Sequence, residues 1–120
     1  MNIKIVSPIF GFENISEVEF EEIDDFFAKI ESGDFSFTLI NPAKLREYSF
    51  EIPRYYKELL SIESDKDVAV YNTVIIHSEM EKSTINFVAP IIINTKENLL
   101  AQITLDDTKF GLNESIANYL

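Results

Sequence analysis

Apolar and polar residues alternate with a period of two along much of the chain. In residues 2–6, Ile3 and Ile5 share one face and Lys4 takes the other, which predicts a short strand broken by Ser7-Pro8. Gly11 follows between Phe10 and Phe12, so a turn with positive φ or close backbone packing is expected, with both rings tucked into the core. Val18 and Phe20 alternate with Glu17, Glu19 and Glu21, as in a half-buried strand. Residues 22–31 carry two periods at once. Ile23, Phe26, Phe27 and Ile30 stand at helical spacing, yet Phe26, Ala28 and Ile30 also alternate with Phe27, Lys29 and Glu31. Periodicity alone leans towards helix there. Phe35, Phe37 and Leu39 alternate again with Ser36, Thr38 and Ile40, up to Asn41-Pro42. A strand on each side of Ser32-Gly33-Asp34 would form a hairpin.

Residues 42–51 have little regular period. Pro53 suits the first turn of a helix, where a missing N–H costs nothing. Tyr55, Tyr56, Leu59 and Leu60 are helically spaced behind it, predicting a short amphipathic helix over 53–61. Residues 63–66 form a polar turn. Val68, Val70, Val74, Ile75 and Ile76 predict a long strand over 68–77, and 78–83 a charged loop. A turn at 95–98, a strand over 99–105 and a turn at 106–111 follow, and the tail ends in Ile116, Tyr119 and Leu120.

The segment 84–94, Thr-Ile-Asn-Phe-Val-Ala-Pro-Ile-Ile-Ile-Asn, is apolar on both faces and rich in β-branched residues, so it reads as a buried strand. Pro90 cannot donate to a ladder and should mark a bulge or bend, giving two strand segments bent at Ala89-Pro90. Short strands joined by polar turns predict a mainly β fold: a single antiparallel barrel-like or sandwich domain over 1–120 with one or two short helical segments. The strands at 68–77, 84–94 and 99–105 should form a meander.

Composition narrows the function. The chain has no cysteine, which excludes disulfides, thiol chemistry and thiolate metal sites. It lacks the apolar stretch of a signal peptide or a membrane span, so a soluble cytoplasmic protein is expected. Asp and Glu number 21 against 10 Lys and Arg, a net charge of −11. Such a surface repels phosphate backbones, making direct nucleic-acid binding unfavourable, and would steer a basic partner. The same charge could serve solubility alone.

Catalytic arrangements are weak. His77, the one histidine, sits beside Ser78 and Glu79, without a nucleophile elbow or glycine-rich oxyanion loop. Asp24-Asp25 and Asp106-Asp107 resemble glycosidase acids, but neighbours on a strand point to opposite faces. There is no calcium-loop spacing. The expectation is no enzyme, no cofactor and no metal.

Three blocks together resemble the flagellar assembly factor FliW family. Ser7-Pro8-Ile9-Phe10-Gly11-Phe12-Glu13 is similar to its N-terminal Gly-Phe-Glu motif, and Phe37-Thr38-Leu39-Ile40-Asn41-Pro42 to a strand ending before proline. Asn86-Phe87-Val88-Ala89-Pro90-Ile91-Ile92-Ile93-Asn94, followed by Gln102, is similar to its most distinctive block. The family usually has Leu where Phe87 stands, and its Tyr-centred C-terminal strand is weakened here to Thr108-Lys109-Phe110.

The resemblance implies a barrel-like β fold with strand, not helix, at 26–31. It also implies a non-enzymatic cytoplasmic role: binding flagellin, and binding CsrA, the RNA-binding repressor of flagellin translation. The two partners compete, so export of flagellin frees the factor to sequester CsrA, a negative coupling of binding free energies. A monomer is expected when free. An amphipathic flagellin helix needs an apolar groove, and Phe10, Phe12, Tyr55, Tyr56, Asn86 and Phe87 are the candidate partner-binding residues. Aromatic residues build cores as readily as grooves. The alternatives are a generic acidic interaction module and a carboxylate-based hydrolase.

Overall fold

The structure, a computed structural model, describes residues 1–33, 35–105, 111 and 114–119. The Asp106-Asp107 doublet, Thr108-Lys109-Phe110, the turn expected before Gly111 and Leu120 lie outside the described residues.

Among the described residues, nine strands follow in chain order: β1 (Asn2–Ser7), β2 (Glu17–Glu22), β3 (Phe27–Ser32), β4 (Phe35–Ile40), β5 (Val68–Ile75), β6 (Thr84–Ile85), β7 (Ile91–Asn94), β8 (Leu99–Gln102) and β9 (Glu114–Ser115). Seven of them, in the order β4-β3-β2-β1-β8-β7-β5, close into a barrel through pairing of β5 with β4. The short strands β6 and β9 extend from β5. β5, β7 and β8 form the expected antiparallel meander. One seam departs from the antiparallel expectation: β1 runs parallel to β8. Among the described residues, no helix is long and apolar enough to cross a membrane.

Alternation along the strands sorts the apolar residues into an interior and two outer clusters. Ile3, Val18, Phe20, Ala28, Ile30, Leu39, Tyr71, Ile91, Ile93 and Leu100 fill the barrel. Outside it, Ile40, Val74, Ile85, Phe87 and Ile116 pack together. Leu60, Ile92, Ala101 and Ile103 form a third cluster, with Tyr56, Phe50 and Ile52 against it. Helix α1 (Arg54–Leu59) is thereby fixed to the barrel wall; Pro53 stands just before it as the N-cap. Its end is held by Asn94, whose Nδ2 donates to the carbonyls of Leu60 (2.7 Å) and Ser61 (3.2 Å).

The helical count in residues 22–31 fails for a visible reason. Asp24 Oδ1 accepts from the amides of Phe26 and Phe27, both at 2.8 Å, and turns the chain between β2 and β3. Ile23 and Phe26 are exposed in that turn, Ile30 enters the barrel and Phe27 packs outside it. The four residues that would share one helix face are divided among three environments. Gly33, at φ 61°, makes the next turn between β3 and β4.

Candidate partner-binding surface at the barrel mouth

Asn86, between β6 and β7, shapes the centre of the site. Its Oδ1 accepts from the amides of Val88 and Ala89, both at 3.1 Å, so residues 86–90 leave the ladder and resume as β7 at Ile91. Pro90 sits inside this bulge, where no N–H is required of it. The bulge is held from both sides of the wall. On the outside, Asn72 Nδ2 donates to the carbonyl of Asn86 (2.8 Å) and to Tyr48 Oη (3.2 Å), and Tyr48 donates to the carbonyl of Phe87. On the inside, Gln102 Nε2 donates to the carbonyl of Ala89 (2.9 Å) while its Oε1 accepts from the amide of Phe10 (2.8 Å).

Gln102 thus ties the bulge to the turn at residues 9–12. That turn is closed by Phe12 N–H donating to the carbonyl of Ile9 (2.9 Å), and Gly11 takes φ 88°, as its flanking rings suggested. The rings themselves are not tucked in. Phe10 is 50% exposed, and Phe12 lies edge-on against Phe35 and Phe37, still partly in solvent. The positive φ of Gly11 carries them away from the interior, which Ile9 enters alone.

Together these elements frame a cleft of roughly 270 Å³. Phe10, Ile9, Phe37, Thr73, Ile75 and Asn86 are among its walls, with Gln102 at its floor. Phe37, Thr73 and Gln102 have the same parity on their strands as the interior residues Leu39, Tyr71 and Leu100. The cleft is therefore the open mouth of the barrel interior. Among the described residues, its lining contains no charged side chain, and Ile75 stands 66% exposed at its edge.

Phe10 and Asn86 meet in this cleft and Phe12 lies beside it through Phe37. Phe87 does not: it is fully buried in an outer cluster and presents no surface. A ring one residue past Asn86 points through the wall, away from the mouth. Tyr55 and Tyr56 stack edge to face on α1, Tyr55 exposed and Tyr56 half-buried against the third cluster, and neither lines the cleft. Ile75 and Thr73 escaped the sequence reading, although Val74-Ile75-Ile76 carried a signal. Ile75 has the inward parity of Tyr71 and Thr73 but ends β5, so it is exposed at the mouth while Val74 packs in an outer cluster.

Two of the groups weighed for catalysis, Asp24 and His77, have local structural roles. Asp24 caps its turn, and the exposed His77 accepts from the amide of Glu79 at Nδ1, 3.2 Å. Among the described residues, no group of carboxylates and histidines could hold a metal ion.

Two predictions arise here. Gln102→Leu should leave the buried Ala89 carbonyl without a partner, at about 1–3 kcal/mol, and release the amide of the half-exposed Phe10 to solvent. Urea denaturation should show a loss of that order, and a change below 0.5 kcal/mol, roughly the level of an ordinary surface substitution, would refute the bridge. The second concerns alkali. Burial pushes the Tyr48 hydroxyl up to about 12, against the opposing effects of Asn72 and Arg46. The native state then keeps a proton that the unfolded chain, at about 10, releases. Stability from this group is complete below about pH 10 and lost as pH rises towards 12. Tyr48→Phe should flatten that decline in unfolding experiments between pH 9 and 12; an unchanged slope counts against it.

Comparison with known proteins places these features in one family. The model of the family described as FliW protein matches residues 1–116. The flagellar assembly factor FliW of Sulfurimonas denitrificans is 44% identical over 124 residues, covering 100% of this chain and 98% of its own. FliW 2 of Wolinella succinogenes is 39% identical, covering 99% and 92%, and FliW of Campylobacter lari 40% identical, covering 92% and 87%. A crystal structure of the flagellar assembly factor FliW shares the fold, with a TM-score of 0.85 at 24% identity over 95% of this chain and 84% of that one.

Proposed function

The chain belongs to the FliW protein family, and on that premise we propose that it acts in the cytoplasm as a non-enzymatic partner switch, binding flagellin and, when flagellin is exported, CsrA. The observation that carries this reading is the barrel mouth, uncharged among the described residues, with Phe10 and Ile75 exposed at it. An amphipathic flagellin helix could lay apolar side chains into such a cleft, and Phe10, Phe12 and Asn86 are the residues placed to meet it.

A second, chemically different face suits a basic partner. Val18 and Phe20 point inward, so Glu17, Glu19 and Glu21 of β2 point outward. Glu31 of β3 lies directly opposite Glu19. Lys29 is shared between Glu31 (3.1 Å) and Glu21 (3.5 Å), and its pKa is raised chiefly by the hydrogen bond to Glu31. The carboxylates outnumber the cations on this ladder, in a chain of net charge −11. A protein that holds RNA, as CsrA does, must carry positive charge, and the ladder would accelerate its approach.

The test is a set of association and dissociation rates for purified flagellin and purified CsrA across a salt series. CsrA association should slow as salt shortens the Debye length to ~8 Å near physiological strength, while flagellin association stays nearly flat. Phe10→Ala should weaken flagellin at least about tenfold, the equivalent of burying one aromatic ring at ~1.5–3 kcal/mol, mainly through faster dissociation. Equal, flat salt dependence for both partners would reduce the acidic face to a solubility feature. Unchanged flagellin binding by the Phe10 variant would remove the mouth from the interface.

A further inference from the structure

The barrel wall has a gap beside β5. Backbone groups of β5 alternate between its two edges. Asn86 N–H donates to the carbonyl of Thr73 (3.1 Å) and Thr95 N–H to that of Asp67 (2.8 Å), so odd-numbered residues of this run face β6 and β7. Even-numbered residues therefore face β4. β4 ends at Ile40, opposite Asn72. The next amide, Asn41, turns back to the carbonyl of Phe26 (2.7 Å), and Pro42 has no N–H to offer. Val68 N–H is taken by the carbonyl of Asp65. The N–H and C=O of Val70 and the C=O of Val68 thus point into the gap with no strand beside them among the described residues.

Two openings meet at this edge. One, of roughly 390 Å³, runs from Asn41 and Pro42 along residues 68–71. The other, of roughly 580 Å³, lies under residues 49–52 and shares Val68 and Val70 with the first. Among the described residues, the second is rimmed by Glu51 and Asp65 against one cation, Lys57.

We propose that this open edge of β5 is a strand-addition site for a short, extended, basic segment of a partner protein. A half-buried strand edge is a template for backbone pairing, and Val70 and Val68 offer one donor and two acceptors in the register that β4 abandons. Outside the barrel, the side chains of Val68 and Val70 are half-buried against the third cluster, an apolar surface that favours β-branched residues on the incoming strand. The acidic rim, on a chain of net charge −11, selects lysine or arginine at its ends. The site shares no lining residue with the barrel mouth, so it stands or falls apart from the flagellin reading.

The probe is an acetylated, amidated peptide, Lys-Val-Thr-Val-Lys, titrated into the whole protein and followed by amide NMR and hydrogen exchange. In the free protein the Val70 amide should exchange freely. Saturating peptide should slow it at least tenfold and shift the signals of residues 68–70. The fully N-methylated peptide should not bind, a glutamate-flanked peptide should bind at least tenfold more weakly, and Val70→Pro should abolish the shifts. The exchange measurement on the native chain stands even if that variant does not fold. A Val70 amide already protected in dilute free protein, equal binding of the N-methylated peptide, or peptide shifts confined to the barrel mouth would overturn the proposal. Protection that rises with protein concentration alone would overturn it too, by placing a second copy in the gap.

Discussion

Replacing Ala89 with lysine is expected to leave no stably folded protein at room temperature. Ala89 is buried inside the bulge, between the half-buried Val88 and the buried Pro90. Its amide is committed to Asn86 Oδ1 and its carbonyl to Gln102 Nε2. A lysine there must either bury an unpaired ammonium or pull the bulge apart. An unpaired buried charge costs several kcal/mol even after relaxation, against a whole-domain margin of ~5–15 kcal/mol. Pulling the bulge apart forfeits the Gln102 bridge and the Asn86 turn together. Far-ultraviolet circular dichroism and a thermal melt decide the matter. A melting temperature within a degree or two of the parent would mean that Ala89 faces water, and the account of the bulge would be wrong.

The strands were legible wherever one face enters the barrel and the other meets solvent. β2 is the clearest case, since Val18 and Phe20 go inside while Glu17, Glu19 and Glu21 stay out. The bend at Ala89-Pro90 was legible for a different reason: proline in a β-branched run can only sit where the ladder is broken. Strand ends were less legible. The expected strand at 68–77 stops at Ile75, with the apolar Ile76 beyond it exposed, and that at 99–105 stops at Gln102, beyond which Ile103 and Leu105 pack into clusters outside the barrel. Alternation cannot separate an apolar residue pairing within a sheet from one packing against its outer surface.

The candidate site was only partly legible. Phe10, Phe12 and Asn86 came from motif resemblance, which carries no information on which way a ring points. Phe87 stands one residue beyond Asn86 and was included on the same ground, but lies on the opposite side of the wall. The deciding feature is a long-range pair of hydrogen bonds from Gln102 to residues 10 and 89, which no local pattern encodes. Gly11-Phe12-Glu13, the segment 86–90 and Gln102 build one junction. These motifs build the mouth, and exposed side chains such as Ile75 stand around it.

Phe87→Ala should cost about 3–5 kcal/mol, the range for removing a buried aromatic ring from a core that collapses only in part. Phe87 is 0% exposed and packs against Ile40, Val74, Ile85 and Ile116. Its ring meets Tyr48 and Tyr119 at tilted, edge-on angles, with centroids 5.4 and 5.5 Å away. The Arg46 guanidinium lies 5.3 Å from its centre. Both aromatic pairs and the cation contact disappear with the ring, each contributing roughly 0.5–1.5 kcal/mol beyond area burial. Phe87→Leu fills much of the cavity but still loses all three ring contacts, so it should cost less than Phe87→Ala yet at least about 1.5 kcal/mol. The two variants together separate cavity formation from loss of aromatic geometry in urea denaturation. The damage should also have a place. Phe87 N–H donates to the carbonyl of Gly111, and Ile116 and Tyr119 pack on the same cluster. Hydrogen exchange should therefore rise first in residues 114–119, before the barrel strands loosen. If Phe87→Ala loses less than about 1 kcal/mol, or the strands β1 and β2 loosen first, this ring is not what holds the C-terminal segment to the wall.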